Sequence, residues 1–149
     1  GVTAGQASGY WGVTIQVDDM IEALSQFEHD GEPLLSDPIV RDDLVGFIME
    51  SKALTLCGRR MAVPALNSDY PMGLALSVKY RGTEYERRMK QYTASKQGAQ
   101  SALYVGDTDA VSGGFWQRAY FSNFGATIGG GTTQVQANII AEHVLGLPK

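Results

Sequence analysis

The sequence holds few of the features that would cross-link a protein or anchor it in a membrane. It contains one cysteine, so no disulfide can form within the chain. No apolar run approaches the roughly 20 residues that a membrane-spanning helix needs. The N-terminus also lacks a charged region followed by an apolar block. These absences predict a soluble, cytoplasmic protein with no membrane span.

Positive charge is sparse as well. The chain has 12 lysines and arginines and 16 acidic residues, which gives a net charge of -4 at neutral pH. The basic residues are scattered apart from Arg59-Arg60 and Arg87-Arg88, so no basic stripe could neutralise a phosphate backbone. We therefore expect no nucleic-acid partner. The acidic pairs Asp18-Asp19 and Asp42-Asp43 lack the histidines or alternating spacing of a metal site, and we expect no metal.

The composition is that of a folded domain. Hydrophobic residues make up 44% of the chain and charged residues 19%, which excludes the low-hydrophobicity, high-charge signature of disorder. A chain of 149 residues is the usual size of one domain, and we take 1–149 as a single unit. Cys57 lies inside an apolar-periodic segment, where we expect it to be a small buried hydrophobe.

Apolar residues recur at three- and four-residue steps, and no alternation typical of strands is present. This spacing predicts helices over 10–28, 38–63, 71–97 and 133–145, with a possible short helix in 115–124. The fold class we predict is all-α, an antiparallel four-helix bundle with no β-sheet.

Local signals mark several of these helix boundaries. Asp37 can cap free amide groups, and Pro38 suits the first helical position. Thr133 with Gln136 three residues later fits a capping box, and Gly146 fits a C-terminal cap. The charged stretch EYERRMKQ is expected to form the solvated face of the third helix.

One glycine-rich stretch, ATIGGGTTQVQANII at 126–140, leads from a loop into the last helix. A helix N-terminus gathers unpaired amide donors, so glycines that let backbone approach closely make it a ready site for an anion. Neither a Walker-type lysine nor a preceding strand accompanies the glycines. On spacing alone, a flexible joint before a capped helix is the favoured interpretation.

A longer pattern changes that interpretation. The stretch GGGTTQVQANIIAEHVLGLPK closely resembles the C-terminal signature of acyl-CoA dehydrogenases, in which a Gly-Thr loop leads into a helix ending in Leu-Gly-Leu-Pro. SVKYRGTEYERRM and GEPLLSDPIVRDDL are similar to further segments of one bacterial branch of that family. The resemblance covers nearly the whole chain. It implies the four-helix C-terminal domain of a flavoprotein, without the N-terminal helical and central β-barrel domains.

The resemblance also implies which residues meet the cofactor, FAD. The matching positions of the Gly-Thr loop are Gly131, Thr132 and Gln134, which would offer backbone and side-chain groups to the flavin. Many members carry a glutamate just before that glycine, which removes the α-proton of an acyl-CoA thioester. Here that position is Gly130, which has no carboxylate, so we predict no catalytic residue in the loop. Some members place the base instead at a position at or just before Gly1.

A second departure concerns contact between subunits. The family's Arg and Phe that reach a neighbouring subunit's flavin pyrophosphate match Phe27 and Asp30, and an aspartate would repel the pyrophosphate. Two functions therefore remain open. In the first, the chain is the C-terminal domain of an FAD-dependent acyl-CoA dehydrogenase, which contributes flavin contacts and oligomer packing and is inactive alone. Alternatively it is a non-catalytic assembly subunit or oligomerisation module, including the base-lacking partner of a heteromeric dehydrogenase.

Other residues that could carry chemistry have simpler interpretations. The aromatic residues Tyr10, Trp11, Phe115 and Trp116 could line an acyl pocket, but core packing is the favoured role. A lone helical histidine such as His143 is typical of a surface or packing position.

Overall fold

The computed structural model describes residues 15–67, 70 and 72–148. In chain order its helices are α1 (Val17–Leu24), α2 (Pro38–Met61), α3 (Met72–Ser95), α4 (Phe115–Ile128) and α5 (Thr133–Ile139). A π-helical segment, Ile140–Val144, continues α5, and short 3-10 turns lie at Leu34–Ser36, Pro64–Leu66, Gly98–Ala102 and Val111–Gly114. Helix α3 packs against all four other helices. The prediction of an all-α helical domain is confirmed.

The core lies where α1, α2 and α4 meet α3. Its fully buried side chains include Met20 and Leu24 from α1, Val40 from α2 and Met89 from α3. Removing such side chains from water supplies about 1.5–3 kcal/mol each, which holds the helices together. Two aromatic residues of α4 complete the core, Phe115 and Trp116, whose rings meet edge to face at 5.4 Å.

These two aromatic residues confirm the core interpretation made for them from the sequence. The corresponding expectation for Tyr10 and Trp11 falls outside the described residues.

The first helix is shorter than predicted, and a small hairpin follows it. Residues 10–14 lie outside the described ranges, and α1 ends at Leu24 rather than at residue 28. Glu28–His29 then pairs antiparallel with Glu32–Pro33 in a two-residue ladder. The predictions of a helix to residue 28 and of no β-sheet were therefore wrong at this point.

The turn chemistry explains the difference. Asp30 and Gly31 adopt left-handed φ values of 53° and 82°, and Asp-Gly is a favoured pair in two-residue hairpin loops. Asp30 and Gly31 together specify a chain reversal, which the helical spacing of the preceding residues does not reveal.

Helix α2 begins as predicted. The Oδ1 atom of Asp37 accepts a hydrogen bond from the amide of Ile39 at 2.8 Å, and Pro38 occupies the first helical position. Only Val40 and Leu44 of this helix are buried. Cys57 is exposed, so the prediction that it is buried was wrong. Phe47 and Leu54 of α2 still pack against the core, but Leu56 and Met61, on either side of Cys57, are exposed.

Helix α4 is longer than the short helix predicted for 115–124, and it changes the environment of α3. Lys90 was expected on a solvated face, yet it is only 6% exposed. Its ammonium donates to Asn123 Oδ1 at 2.6 Å and to Glu86 Oε2 at 2.7 Å, while the amide of Asn123 donates to the Thr83 carbonyl at 3.1 Å. The expectation was wrong at this residue because α4 packs on that side of α3.

The chain enters α4 through a tight turn. Ser112, Gly113 and Gly114 are three successive residues with left-handed φ values of 49°, 61° and 73°. A Cβ atom on Gly114 would lie 2.5 Å from the backbone nitrogen of Val105 and 2.6 Å from the carbonyl carbon of Tyr104. Glycine is therefore required here both by conformation and by space.

In the ranges that the structure describes, no helix combines the length and apolar character required to cross a bilayer.

Candidate functional site

The Gly-Thr loop joins α4 to α5 through residues 129–132. Gly130 and Gly131 have φ values of 69° and 102°, a region that glycine occupies without the steric cost a Cβ atom would bring. Thr132 then caps α5, because its Oγ1 atom accepts a hydrogen bond from the amide of Val135 at 3.3 Å. The loop is thus a defined turn between two helices.

The capping residue differs from the prediction. The cap is Thr132 rather than Thr133, and the capping box between Thr133 and Gln136 does not form. Two adjacent threonines can each cap a helix, so the sequence alone could not decide between them. The predicted C-terminal cap is present, since Gly146 has a left-handed φ of 66°.

Helix α3 holds the loop through two side chains. The ammonium of Lys79 donates to the Gly131 carbonyl at 2.6 Å, and the Thr133 hydroxyl donates to Glu84 Oε1 at 2.8 Å. Both bonds involve a charged group, and such bonds are shorter and about twice as strong as neutral ones. The two ends of the turn are therefore fixed to the same helix.

Gln136 forms a third contact, from beneath the loop. Its side chain is 3% exposed, and its Nε2 atom donates to the Gly130 carbonyl. A Cβ atom on Gly131 would lie 2.8 Å from that nitrogen, so a larger residue at 131 would displace the glutamine. Glycine at position 131 is therefore what leaves room for the Gln136 side chain to reach the Gly130 carbonyl.

The electrostatics of the loop centre on Glu84. The hydrogen bond from Thr133 lowers the pKa of Glu84, an effect that partial burial opposes and that Arg87, 3.1 Å away, reinforces. Glu84 is therefore an ionised hydrogen-bond acceptor at neutral pH. Its engagement with two partners makes it a structural carboxylate rather than a free base.

The structure brings the predicted cofactor residues together at the start of α5. Gly131 and Thr132 are half-buried and Gln134 is exposed. The Thr132 hydroxyl accepts one hydrogen bond and keeps its own hydrogen to donate. Gly130, where the resemblance implies the family's base, is exposed and carries no side chain.

This donor set fits a flavin ring, whose edge presents carbonyl oxygens and ring nitrogens as acceptors. Amide groups in the first turn of a helix have no intrahelical partner, and the hydroxyl of Thr132 and the amide of Gln134 add to them. Space is also present, because no atom lies within 4 Å of where a Cβ atom of Gly130 would stand. The Oε1 atom of Gln136 is buried without a hydrogen-bond partner, an acceptor that the described residues leave unused.

Sequence reasoning missed Lys79, Glu84 and Gln136 as residues of this site. The stretch that contains the first two was noted for its likeness to a family segment, and Glu84 was also expected on the solvated face of the third helix. Their loop partners lie 52 and 49 residues further along the chain, so no local spacing could have revealed the contacts.

Other candidate residues lie elsewhere. Phe27 is half-buried beside the core and Asp30 is exposed in the hairpin, so neither belongs to the Gly-Thr loop. His143 stacks on Tyr70 with ring centroids 5.6 Å apart, which is a packing role. Among the residues that the structure describes, no group of three potential metal ligands is present.

A separate open groove of about 620 Å³ runs between α2 and α3. Glu50 pairs there with Arg88 at 2.6 Å, and the Tyr92 hydroxyl donates to Asp43 at 2.9 Å. Desolvation and the neighbouring carboxylate raise the pKa of Tyr92. The polar groups that line the groove are largely paired with one another, and none belongs to the loop.

Comparison with known proteins identifies the class. Residues 5–145 match the family model described as the acyl-CoA dehydrogenase C-terminal domain. The chain belongs to this family, and it is a C-terminal domain of acyl-CoA dehydrogenase type.

Individual relatives agree with that assignment. The chain is 32% identical over 114 residues to the acyl-CoA dehydrogenase IpdE1 of Mycolicibacterium smegmatis, an alignment covering 76% of this chain and 26% of the relative. The crystal structure of the ChsE4-ChsE5 complex from Mycobacterium tuberculosis has the same fold, with a TM-score of 0.74 and 23% identity over 89% of this chain and 35% of that one. The Tcur3481-Tcur3483 steroid acyl-CoA dehydrogenase gives a TM-score of 0.72, 23% identity and the same two coverages.

The chain thus spans about a quarter to a third of the proteins that it matches.

Proposed function

We propose that this domain contributes flavin contacts to an FAD-dependent acyl-CoA dehydrogenase made of two different subunits, and that its Gly-Thr loop supplies no catalytic base. The observation that carries the proposal is a loop held at both ends by α3 that has a glycine, Gly130, where many relatives have a glutamate. The cofactor-binding positions are Gly131, Thr132 and Gln134. The substrate class is an acyl-CoA thioester.

The division of labour follows from the chemistry of these groups. FAD, when bound, accepts the hydride that leaves the acyl chain during α,β-dehydrogenation. The loop's own part is to hold and orient the ring edge, with the Thr132 hydroxyl and the Gln134 amide as donors. A base must also reach the α-proton, and a glycine at 130 offers no group that accepts one. The proton acceptor therefore belongs to another segment or to another subunit.

Two observations support a partner of different sequence. Phe27 and Asp30 stand where relatives place groups that hold a neighbouring subunit's flavin, so the flavin of an identical partner would be held poorly. The ChsE4-ChsE5 complex shows that this fold occurs in an assembly of two different chains. A second candidate function, a non-catalytic assembly module, rests on the same three departures at Phe27, Asp30 and Gly130.

The first test uses the 149-residue chain alone. We expect it to purify without the visible flavin band and to show no turnover with acyl-CoA, added FAD and an artificial electron acceptor. The few hydrogen bonds from the loop contribute about 1 kcal/mol each, too little to retain a cofactor. Gly130→Glu should not restore activity, because a base acts only when substrate and flavin are held in line with it. A yellow preparation or measurable turnover in either protein would contradict this expectation.

The second test separates the two candidate functions. The complete protein that carries this domain is co-expressed with a candidate partner subunit, and FAD content and acyl-CoA oxidation are measured on the purified complex. We expect bound FAD and turnover, and Thr132→Val should weaken FAD binding by about ten-fold, while Asn138→Ala, an exposed change on α5, should leave it unchanged. A complex that assembles without any flavin would favour the assembly module.

A further inference from the structure

We propose that Lys79 and Glu84 are positioning residues for the Gly-Thr loop, which fix its conformation from α3 without themselves touching a cofactor. The proposal concerns the same site as the proposed function and deepens it. Its basis is geometric, because the two side chains contact the loop on either side of Thr132, the residue that caps α5.

The Lys79 contact determines which backbone groups the loop can present. Its ammonium donates a hydrogen bond to the Gly131 carbonyl oxygen at 2.6 Å, so this oxygen in the middle of the turn already has a partner. Gly131 has a φ of 102°, a region with several accessible conformations for glycine, so the turn needs an external contact to stay in one of them. With the carbonyl held toward α3, the Gly131 peptide keeps a single orientation.

The Glu84 contact fixes the other end. The Thr133 hydroxyl donates to Glu84 at 2.8 Å, which leaves the adjacent Thr132 hydroxyl free for its capping bond and for one further acceptor. Arg87 pairs with Glu84 at 3.1 Å and limits the movement of the carboxylate. The capping residue and the turn are thus both held against the same helix, α3.

Gln136 makes the arrangement dependent on those two contacts. Its bond to the Gly130 carbonyl is internal to the loop and α5, so it can move together with them as a unit. Lys79 and Glu84 bind the loop end of this unit to α3. Loss of either should release the turn as a local event.

Hydrogen exchange of individual amides in the 149-residue chain tests the positioning role. The reporters are the amides of Gly131, Val135 and Gln136, which donate to Ile128 O, to Thr132 Oγ1 and to Thr132 O respectively. Lys79→Met removes the donor while keeping the length of the side chain. We expect exchange at these amides to rise about ten-fold, with the amide of Leu44 in α2 unchanged.

Arg81→Met is the matched control. Arg81 lies two residues from Lys79 on α3, carries the same charge and pairs with Glu50 of α2 instead of with the loop. We expect it to leave the loop amides unchanged, and Lys79→Arg to restore most of the protection. Equal exchange in the Lys79→Met and Arg81→Met proteins would overturn the proposal.

A second variant keeps the test decisive if Lys79→Met does not fold. Thr133→Val removes only the hydroxyl that donates a hydrogen bond to Glu84, and it preserves the shape of the side chain. We expect the same local rise in exchange at the loop amides, and unchanged exchange there would overturn the role of Glu84.

The consequence for the cofactor is measured separately. In the complete flavoprotein we expect Lys79→Met to weaken FAD binding by about ten-fold and to shift the visible flavin absorption, while Arg81→Met does neither. If the loop amides become exposed but FAD binding does not change, the positioning role stands and the proposed flavin contact fails. If exchange does not respond, the positioning role fails whatever the cofactor does.

Discussion

Helices α2 and α3 have the same length, 24 residues each, yet they relate to the rest of the domain in different ways. Only Val40 and Leu44 of α2 are buried, both in its first two turns. Helix α3 buries six residues, Gly73 near its start and five from Tyr85 to Ala94, and contacts α1, α2, α4 and α5. A long helix therefore need not be a central one.

The apolar residues of α2 show what the difference means. Beyond Val40 and Leu44, Phe47 and Leu54 pack against the core, but five others remain exposed along the helix: Ile39, Val45, Met49, Leu56 and Met61. An amphipathic helix is stabilised chiefly by burying its apolar face, and a broad exposed apolar surface on a folded domain marks an interaction region. In the second half of α3 the apolar side chain of Met89 and the polar one of Lys90 both find partners inside the domain. Helix α3 therefore organises this fold, whereas α2 presents apolar side chains at the surface.

The largest effect expected from this comparison is a contrast between two methionines. Met89 in α3 is fully buried, whereas Met49 in α2 is 66% exposed. We expect Met89→Ala to lower the free energy of unfolding by about 3 kcal/mol, through lost burial and the cavity left behind. Met49→Ala should change it by no more than about 0.5 kcal/mol in urea unfolding. Equal losses would mean that α2 is covered in solution.

Next in size is the polar network between α3 and α4. Asn123 is 3% exposed, and it accepts from Lys90 and donates to the Thr83 carbonyl. We expect Asn123→Ala to cost about 2 kcal/mol in the same unfolding assay, because it leaves the buried ammonium short of a partner. Asn138→Ala, on the exposed side of α5, is the control and should cost less than about 0.5 kcal/mol. A cost at Asn123 as small as the control would show that water replaces this amide.

The exposed face of α2 should promote self-association. Leu56 is 63% exposed, and burial of such a side chain contributes about 1.5 kcal/mol. We expect Leu56→Ser to raise the dissociation constant about ten-fold in sedimentation, while Leu147→Ser, equally apolar and outside α2, has little effect. A strictly monomeric wild-type chain across micromolar concentrations would contradict this prediction.

The smallest effect concerns the pH dependence of the loop. The pKa of Glu84 lies below its ordinary value of 4.5, because Thr133 donates to it and Arg87 and Arg88 lie nearby. A lowered pKa in the folded state means that this carboxylate stabilises the fold fully above the ordinary value and loses the contribution as pH falls through the lowered one.

Carboxyl carbon shifts in NMR measure this titration directly. We expect the Glu84 midpoint below 4.5 and a rise upon Thr133→Val, which removes the principal donor. The protection of the Gly131 amide, taken relative to its intrinsic exchange rate at each pH, should fall as pH drops through the same range. A midpoint unaffected by Thr133→Val would show that the hydroxyl bond does not form in solution.

Those parts of the fold that have local causes could be predicted from the sequence. Asp37 followed by Pro38 specifies a helix start, and Gly146 specifies a helix end, because each acts on backbone groups within a few residues. The Asp30-Gly31 hairpin was also local, but helical spacing before it suggested a helix that extends to residue 28. Hairpin turn chemistry was the competing signal that prevailed there.

The candidate site was only partly predictable, for a different physical reason. The Gly-Thr loop was recognisable by resemblance, whereas its contacts with Lys79 and Glu84 depend on α3 and α5 meeting in space. Lys90 shows the same limit, since a charged residue in a charged stretch becomes buried once α4 lies against it. Cys57 is the converse, an apolar-periodic position that this domain does not cover.

The geometry of three glycines has a consequence for how freely the sequence can vary. A saturation library should recover glycine alone at Gly114, where backbone lies within 3 Å of any added carbon, and strongly favour it at Gly131 beside Gln136. At Gly130 the added carbon meets nothing within 4 Å, and its φ of 69° lies in the region that asparagine and aspartate tolerate. Side chains could therefore be accepted at 130 for a modest backbone cost. The fold leaves room for a carboxylate side chain at this position, so the absence of one is not a steric requirement.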